Sequence, residues 1–122
     1  MIWLAVAAGG ALGSMARHGM NILVGHLLER ATPYATAAVN VAGSLVIGFL
    51  AARIATGRLH WSNEFRTFVF VGILGGFTTF SSYMLDTFTL GHGGHHTMAF
   101  WNVALQTACG LAAVWAGYRL GL

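Results

Sequence analysis

Charged residues are the scarcest feature of this sequence. They make up 7% of its 122 residues, lysine is absent, and six arginines stand against three acids. A soluble domain normally carries about 25% charged residues. Hydrophobic residues make up 57% of the chain and the mean hydropathy is +0.70, which excludes an ordinary water-soluble surface. The arginines are scattered, so they form no basic patch of the kind that binds nucleic acid.

Long apolar stretches occupy most of the chain. Four can be counted: residues 2–24, which contain Arg17, and residues 34–52, 67–85 and 97–118. A membrane-spanning helix needs about 20 residues, so each stretch is long enough. Cys109, the only cysteine, can form no disulfide within the chain and is expected to pack as a small apolar group. We predict an all-α membrane protein in which residues 1–122 form one domain of four transmembrane helices.

The middle of the third stretch contains residues that break helices. Residues 72–83 read GILGGFTTFSSY, and non-helical main chain at membrane depth is tolerated only inside protein or beside a polar cavity. Because Gly75 and Gly76 lack a Cβ atom, we expect the third helix to break there, near its middle. Carbonyl groups freed by a break can coordinate a small hard cation such as sodium. A simple kink or a tight helix crossing at the two glycines is the alternative.

Polar side chains inside the second and fourth stretches need partners. An unpaired amide in hydrocarbon is costly, so Asn40 is expected to point inward, with Thr36 one turn away on the same face. Asn102 and Gln106 repeat this i, i+4 spacing in the fourth stretch. A hydrogen bond between helices would explain each residue singly. Two polar stripes in one small chain favour a polar pathway.

Two aromatic residues follow the glycines of the third stretch. Phe80 and Tyr83 lie three residues apart and share one face if the helix resumes. The edge of an aromatic ring is partly positive, so two ring edges beside a polar track can stabilise a small dehydrated anion. Tyr83 can also offer its hydroxyl as a donor. On spacing alone, the alternative is that both rings face lipid or the protein core.

Several charged and titratable residues have two readings. A charge as deep as Arg17 costs about 2.5–3.5 kcal/mol near the bilayer centre. The residue therefore either snorkels or lines a water-filled vestibule that concentrates anions, with Asp86 as a partner.

The third connection reads GHGGHH at residues 91–96. Its histidines, His92, His95 and His96, have a spacing that can bind a transition metal, but the glycines favour a solvated loop.

The arginines are unevenly divided between the two ends of the predicted helices. With four spans, the side that holds both termini also holds Arg53, Arg58, Arg66 and Arg119. The other side holds Arg30, which is offset by Glu29. The positive-inside rule would place both termini in the cytoplasm.

Taken together, these residues resemble the Fluc fluoride channels, also called CrcB proteins. The resemblance covers essentially the whole chain and has three motifs in order, GALGSMAR at 10–17, VNVAG at 39–43 and GGFTTFS at 75–81, followed by GYRLG at 117–121. It implies a fluoride-selective channel that exports cytosolic fluoride passively. It also implies a multi-pass protein of the bacterial plasma (inner) membrane.

The resemblance further implies an assembly and a set of site residues. The subunits would form an antiparallel, dual-topology homodimer with two fluoride pores, and the backbone carbonyls of Gly75 and Thr78 would hold a structural sodium ion at its centre. Arg17 would belong to the vestibule. The pore would be lined by Thr36, Asn40, Phe80, Ser81, Ser82, Tyr83, Asn102 and Gln106.

This chain departs from the family pattern at several of these positions. Tyr83 stands where the second pore phenylalanine is usual, and Asn102 and Gln106 stand where tyrosine and serine are frequent. Asp86 replaces a common glutamate. The arginine bias is also unusual for subunits that insert both ways, so a paralogous partner of opposite topology is the alternative to a homodimer.

Other classes of function fit the sequence less well. A small dual-topology, proton-coupled exporter of organic cations is the alternative transporter, but it needs a membrane-embedded carboxylate, and the first stretch contains none. A scaffold subunit would need neither polar stripes nor a broken helix. Because no base and nucleophile are paired in a pocket-forming arrangement, we predict that the protein is not an enzyme.

Overall fold

The computed structural model describes residues 1–30 and 32–122, and this part of the chain is helical and contains no strand. Helix α1 spans Ile2–Leu28 and α2 spans Tyr34–Ala55. The next long element, Asn63–His92, is called the third span below. It comprises α3 (Asn63–Thr67), a π-helical segment (Phe68–Leu74), α4 (Gly75–Phe77) and α5 (Phe80–His92). Helix α6 spans His96–Gly121.

Each long helical element continues beyond the apolar stretch that predicted it. Helix α1 has 27 residues and α6 has 26, which corresponds to about 40 Å at 1.5 Å per residue. The added turns contain polar residues such as His26 and Arg53. Hydropathy marks the part of a helix that lies in hydrocarbon, whereas hydrogen bonding continues the helix to its caps.

Helices α2 and α6 pack side by side and run in the same direction. Asn40 is bonded to Gln106, and eight residues further along each helix a Cβ atom on Gly48 would collide with the Val114 carbonyl. The missing side chain at Gly48 lets the two main chains approach closely, as small residues do at membrane helix interfaces. Parallel packing requires that the third span return the chain across the bundle. The C-terminal ends of α2 and α6 therefore lie at one end, together with the start of the third span.

The third span is interrupted at two threonines. Thr78 (φ −83°, ψ 159°) and Thr79 (φ −152°, ψ 115°) are extended. The Thr78 hydroxyl donates to the carbonyl of Leu74 at 2.9 Å, and the Thr79 hydroxyl accepts from the Ser82 N–H at 3.2 Å. The Thr78 N–H keeps its helical bond to the same Leu74 carbonyl at 3.0 Å, so the first bond adds to the last turn of the preceding helix. The second bond caps α5, because a hydroxyl at a helix N-terminus accepts from a free main-chain N–H. The expected break is therefore present near the middle of the span.

The two glycines are not the site of the break. Gly75 is helical, with φ −64° and ψ −35°, and Gly76 lies in α4. A Cβ atom on Gly76 would come within 2.8 Å of the Gly10 carbonyl of α1. The expectation that the glycines break the helix was wrong. Gly76 instead permits the tight helix crossing that the sequence left as an alternative.

The outside of the molecule is apolar. Within residues 1–30 and 32–122, three helices are long and apolar enough to cross a membrane: Tyr34–Ala55, Asn63–His92 and His96–Gly121. Large hydrophobic side chains face outward, including Trp3 at 86% exposure and Leu120 at 73%. Within the described residues Val39 is the largest side chain that is fully buried. A surface of this kind faces lipid rather than water, so the chain is a multi-pass membrane protein.

Candidate functional site

The side chain of Asn40 is bonded to the main chain at the interruption of the third span. Its Oδ1 accepts from the Thr79 N–H at 2.8 Å, and its Nδ2 donates to the Thr79 carbonyl at 3.1 Å. In an unbroken helix the Thr79 N–H would donate to the Gly75 carbonyl. Asn40 thus points inward, as predicted. It forms hydrogen bonds between helices, which was one of the two interpretations that the sequence allowed. Its role in a pore remains a prediction.

The polar residues of α6 continue from Asn40 as a chain of hydrogen bonds. Asn40 Nδ2 also donates to Gln106 Oε1 at 3.1 Å, and Gln106 Nε2 donates to Asn102 Oδ1 at 2.9 Å. Asn102 Nδ2 then donates to the Thr87 hydroxyl at 2.9 Å. Asn40 of α2 and the two predicted amides of α6 are therefore brought together in one connected network, whereas Thr36 is bonded to Asp86 instead.

The two aromatic residues after the break are placed differently. Phe80 is 72% exposed, whereas Tyr83 is buried. The Tyr83 hydroxyl donates to the Val103 carbonyl at 3.1 Å and lies 3.0 Å from the Thr107 hydroxyl. The hydroxyl that was expected to be available as a pore donor is thus bonded to α6. The ring of Phe80 faces the outside of this single protomer.

Arg17 and Asp86 lie around one polar cavity. The cavity has a volume of about 490 Å³ and is also lined by Thr36, Ser81 and Ser82. The Thr36 hydroxyl donates to Asp86 Oδ2 at 2.8 Å, so this carboxylate is bonded to α2. An arginine beside serine hydroxyls at a cavity wall offers positive charge and donors to an anion.

A second cavity lies against the interruption. Its volume is about 370 Å³, and its lining includes Gly75, Thr78, Asn40 and Phe80. The helical partner of the Gly75 carbonyl, the Thr79 N–H, donates to Asn40 instead. The helical partner of the Thr78 carbonyl, the Ser82 N–H, donates to the Thr79 hydroxyl. The two carbonyls that the resemblance assigned to sodium are thus among those that lose their helical donors at the break, and hard carbonyl oxygens suit that ion.

The structure also identifies residues that the sequence reasoning did not single out. Thr79 donates one bond to Asn40 and accepts another from it, Thr87 ends the chain of amides, and Asn21 lines the cavity of Arg17. Asn21 lies four residues after Arg17 and Thr87 four after Tyr83, so i, i+4 spacing was a usable signal for both. No such signal linked Thr79 to a residue 39 positions away.

The histidine-rich connection forms no metal site in the structure. Across residues 1–30 and 32–122, no group of three or more His, Cys, Asp or Glu side chains is placed to hold a metal ion. The ring of His92 stacks on Phe88, with centroids 5.6 Å apart. His92 is the last residue of α5 and His96 the first of α6, so the loop expected here is only the short turn at residues 93–95.

Comparison with known proteins gives matches along nearly the whole chain. The family model described as CrcB-like protein, Camphor Resistance (CrcB), matches residues 4–118. The chain is 47% identical over 116 residues to a protein of Symbiobacterium thermophilum named fluoride-specific ion channel FluC 2, covering 94% of this chain and 93% of that protein. It is 47% identical over 120 residues to fluoride-specific ion channel FluC of Paracoccus denitrificans, covering 98% and 93%.

A third relative gives the same result. The FluC protein of Rhodospirillum rubrum, also named a fluoride-specific ion channel, is 40% identical over 119 residues, which cover 97% of this chain and 92% of the relative. These names denote ion channels, in agreement with the prediction that the chain is not an enzyme. With a family match over residues 4–118 and relatives matched along nearly their full length, the chain belongs to the CrcB family.

Proposed function

We propose that this protein is a fluoride-selective ion channel that lets cytosolic fluoride leave the cell passively. The observation that carries the proposal is its identity of 40–47% to relatives named fluoride-specific ion channels. These matches extend along almost the whole chain, so they include the interrupted span and the polar residues around it.

The polar network is suited to a small, strongly hydrated anion. Such an ion crosses a membrane only if protein groups replace its water, and these groups must bind weakly enough to release it. The cavity of Arg17 reaches Thr79 and offers Ser81 and Ser82. The amides of Gln106 and Asn102 continue from Asn40. We infer that fluoride passes along these groups, Thr36 and the rings of Phe80 and Tyr83.

A second copy of the chain would complete the site. A single protomer leaves Phe80 72% exposed and leaves an open cavity beside the interrupted main chain. Irregular main chain cannot face lipid tails. We infer an antiparallel homodimer in which the interruptions of the two copies face each other and two pores result. Helix α1, with 27 residues, would be the fourth transmembrane helix of each copy.

A sodium ion would occupy the cavity beside the interruption. The carbonyls of Gly75 and Thr78 would bind it, joined by the same groups of the second copy. When bound, the ion would supply positive charge at the centre of the dimer. This chain's residues prepare the site because Asn40 and the Thr79 hydroxyl draw away the two N–H groups that would otherwise occupy these carbonyls.

The membrane would be the bacterial inner membrane. Four arginines, Arg53, Arg58, Arg66 and Arg119, belong to the end of the bundle where α2 and α6 finish and the third span begins. In an antiparallel dimer, half of these groups would face the periplasm. The bias would therefore be too weak to fix the orientation of a subunit, and no paralogous partner would be needed.

Flux from liposomes tests the proposed function. Purified protein is reconstituted in liposomes loaded with potassium fluoride or potassium chloride, and anion efflux is followed with ion-selective electrodes after valinomycin is added. We expect rapid efflux of fluoride and none of chloride. Equal rates for the two anions, no efflux, or flux of an organic cation driven by a proton gradient would overturn the proposal.

A further inference from the structure

The hydrogen-bond chain through α6 has a fixed direction. At one end, the main-chain N–H of Thr79 can only donate, so Asn40 must present Oδ1 to it. At the other end, the Tyr83 carbonyl can only accept, and it receives the Thr87 hydroxyl at 2.9 Å. Each amide between these ends therefore has one orientation that satisfies all bonds. In that orientation, Gln106 turns its oxygen toward Asn40 and its nitrogen toward Asn102.

Both N–H groups of the Asn40 side chain are used in this arrangement. An amide nitrogen carries two N–H groups. One of them donates to the Thr79 carbonyl and the other to Gln106 Oε1. Gln106 is 8% exposed, so water offers little replacement for its oxygen. Without that oxygen, Asn40 would keep one unpaired N–H in the interior and would be held only by its two bonds to Thr79.

We propose that Gln106 is a positioning residue for ion conduction, an inference that rests on the proposed function. By accepting one N–H of Asn40, Gln106 holds this amide in the orientation that pairs with Thr79. The residue after Thr79 is Phe80, so the same bond sets where the Phe80 ring lies. Asn102 acts on Asn40 through Gln106. The Asn102 oxygen accepts from the Gln106 nitrogen, so the Gln106 oxygen is the atom that faces Asn40.

Substitutions that keep side-chain volume test this role. Gln106→Met removes both hydrogen bonds of the amide, and we expect fluoride flux to fall roughly tenfold, the effect of losing one buried hydrogen bond. Asn102→Leu leaves the Gln106 oxygen in place and should lower flux by a smaller factor. The double variant should lose less flux than the product of the two single losses, because Gln106→Met removes the group through which Asn102 acts on Asn40. Cys109→Ala, at an exposed position of α6, is the matched control and should conduct at the wild-type rate.

Side-chain amide resonances provide a readout that does not depend on conduction. Gln106 is the only glutamine in the chain, so labelling glutamine with ¹⁵N yields one side-chain amide pair, and its shift should move in Asn102→Leu. With labelled asparagine, the Asn40 pair, identified by its loss in Asn40→Asp, should move in Gln106→Met without fluoride. This experiment also applies if Gln106→Met does not fold, because Asn102→Leu then tests the same chain of bonds.

The outcomes separate this inference from the proposed function. If wild-type protein does not conduct fluoride, the proposed function fails. If wild-type protein conducts and Gln106→Met matches it, the positioning role fails alone. Strict additivity of the Gln106 and Asn102 losses, or an unmoved Asn40 resonance in Gln106→Met, would likewise overturn the role of Gln106.

Discussion

The rings of Phe80 and Tyr83 meet edge to face, with centroids 5.8 Å apart and planes at 69°, yet only Tyr83 is tied to the rest of the protomer. Tyr83 is 8% exposed and bonded to α6, whereas Phe80 is 72% exposed. Edge-to-face pairs of this kind direct the positive rim of one ring at the face of the other. Tyr83 is thus fixed within the protomer, whereas the exposed Phe80 ring is available to contact a second copy. Substitutions at the two positions should therefore have different effects.

Replacing Phe80 with isoleucine should impair conduction without unfolding the protein. Isoleucine has no aromatic edge, and little buried area is lost because the ring is exposed in the protomer. We expect fluoride efflux to fall roughly two- to twelvefold, since aromatic contacts of this kind are worth about 0.5–1.5 kcal/mol. Phe88→Ile, on the same helix and 67% exposed, is the matched control and should conduct normally. Equal fluoride efflux rates for the two variants would mean that Phe80 has only a packing role.

Replacing Tyr83 with phenylalanine should affect stability more than conduction. The change removes the hydroxyl that donates to Val103 but keeps the ring. A hydrogen bond of this kind contributes about 0.5–1.5 kcal/mol, so thermal unfolding should shift to lower temperature while fluoride efflux stays close to wild type. An efflux rate as low as that of Phe80→Ile, with unfolding unchanged, would mean instead that the hydroxyl contacts the ion.

Replacing Asn40 with aspartate should abolish conduction. An aspartate oxygen can still accept from the Thr79 N–H, but nothing remains to donate to the Thr79 carbonyl or to Gln106. A negative charge would also lie in the proposed anion path. The comparison variant is Asn63→Asp, the same chemical change at an exposed position at the start of α3, where a helix N-terminus favours negative charge. A fluoride flux equal to wild type in Asn40→Asp would show that Asn40 does not line the pathway.

Removing sodium should destabilise the dimer. If the carbonyls of Gly75 and Thr78 bind the ion, protein exchanged into N-methylglucamine chloride should unfold at a lower temperature than protein in sodium chloride of equal ionic strength. The stabilisation should saturate with sodium concentration and amounts to about 2.7 kcal/mol at a hundredfold excess over the dissociation constant. Identical unfolding curves in the two salts would contradict a structural sodium site.

The helices and the interruption were predictable because each depends on residues near one another in the chain. The stretch 67–85 marks a span by its composition, and the run GGFTTFS marks an irregular segment. The position of the break was not predictable from glycine content. It depends on which groups bind the main-chain N–H groups: Asn40 takes that of Thr79, and the Thr79 hydroxyl takes that of Ser82.

The pairings within the site lie beyond what spacing reveals. Asn40 and Gln106 could each be identified as inward-facing, since an amide in an apolar helix needs a partner. Their bond to each other joins residues 66 positions apart and depends on how α2 and α6 pack. The same holds for Tyr83, whose hydroxyl reaches α6. Single-helix periodicity gives the face on which a residue lies, but the partner follows from the tertiary arrangement.

The most direct test of the account is the reversal potential of current through purified wild-type protein in a planar bilayer, with a fluoride gradient across the membrane and chloride equal on both sides. A fluoride-selective pore predicts that the current reverses at the fluoride equilibrium potential and does not shift when chloride is replaced by a larger anion. Reversal at zero voltage, or a reversal potential that shifts when chloride on one side is replaced, would contradict the account.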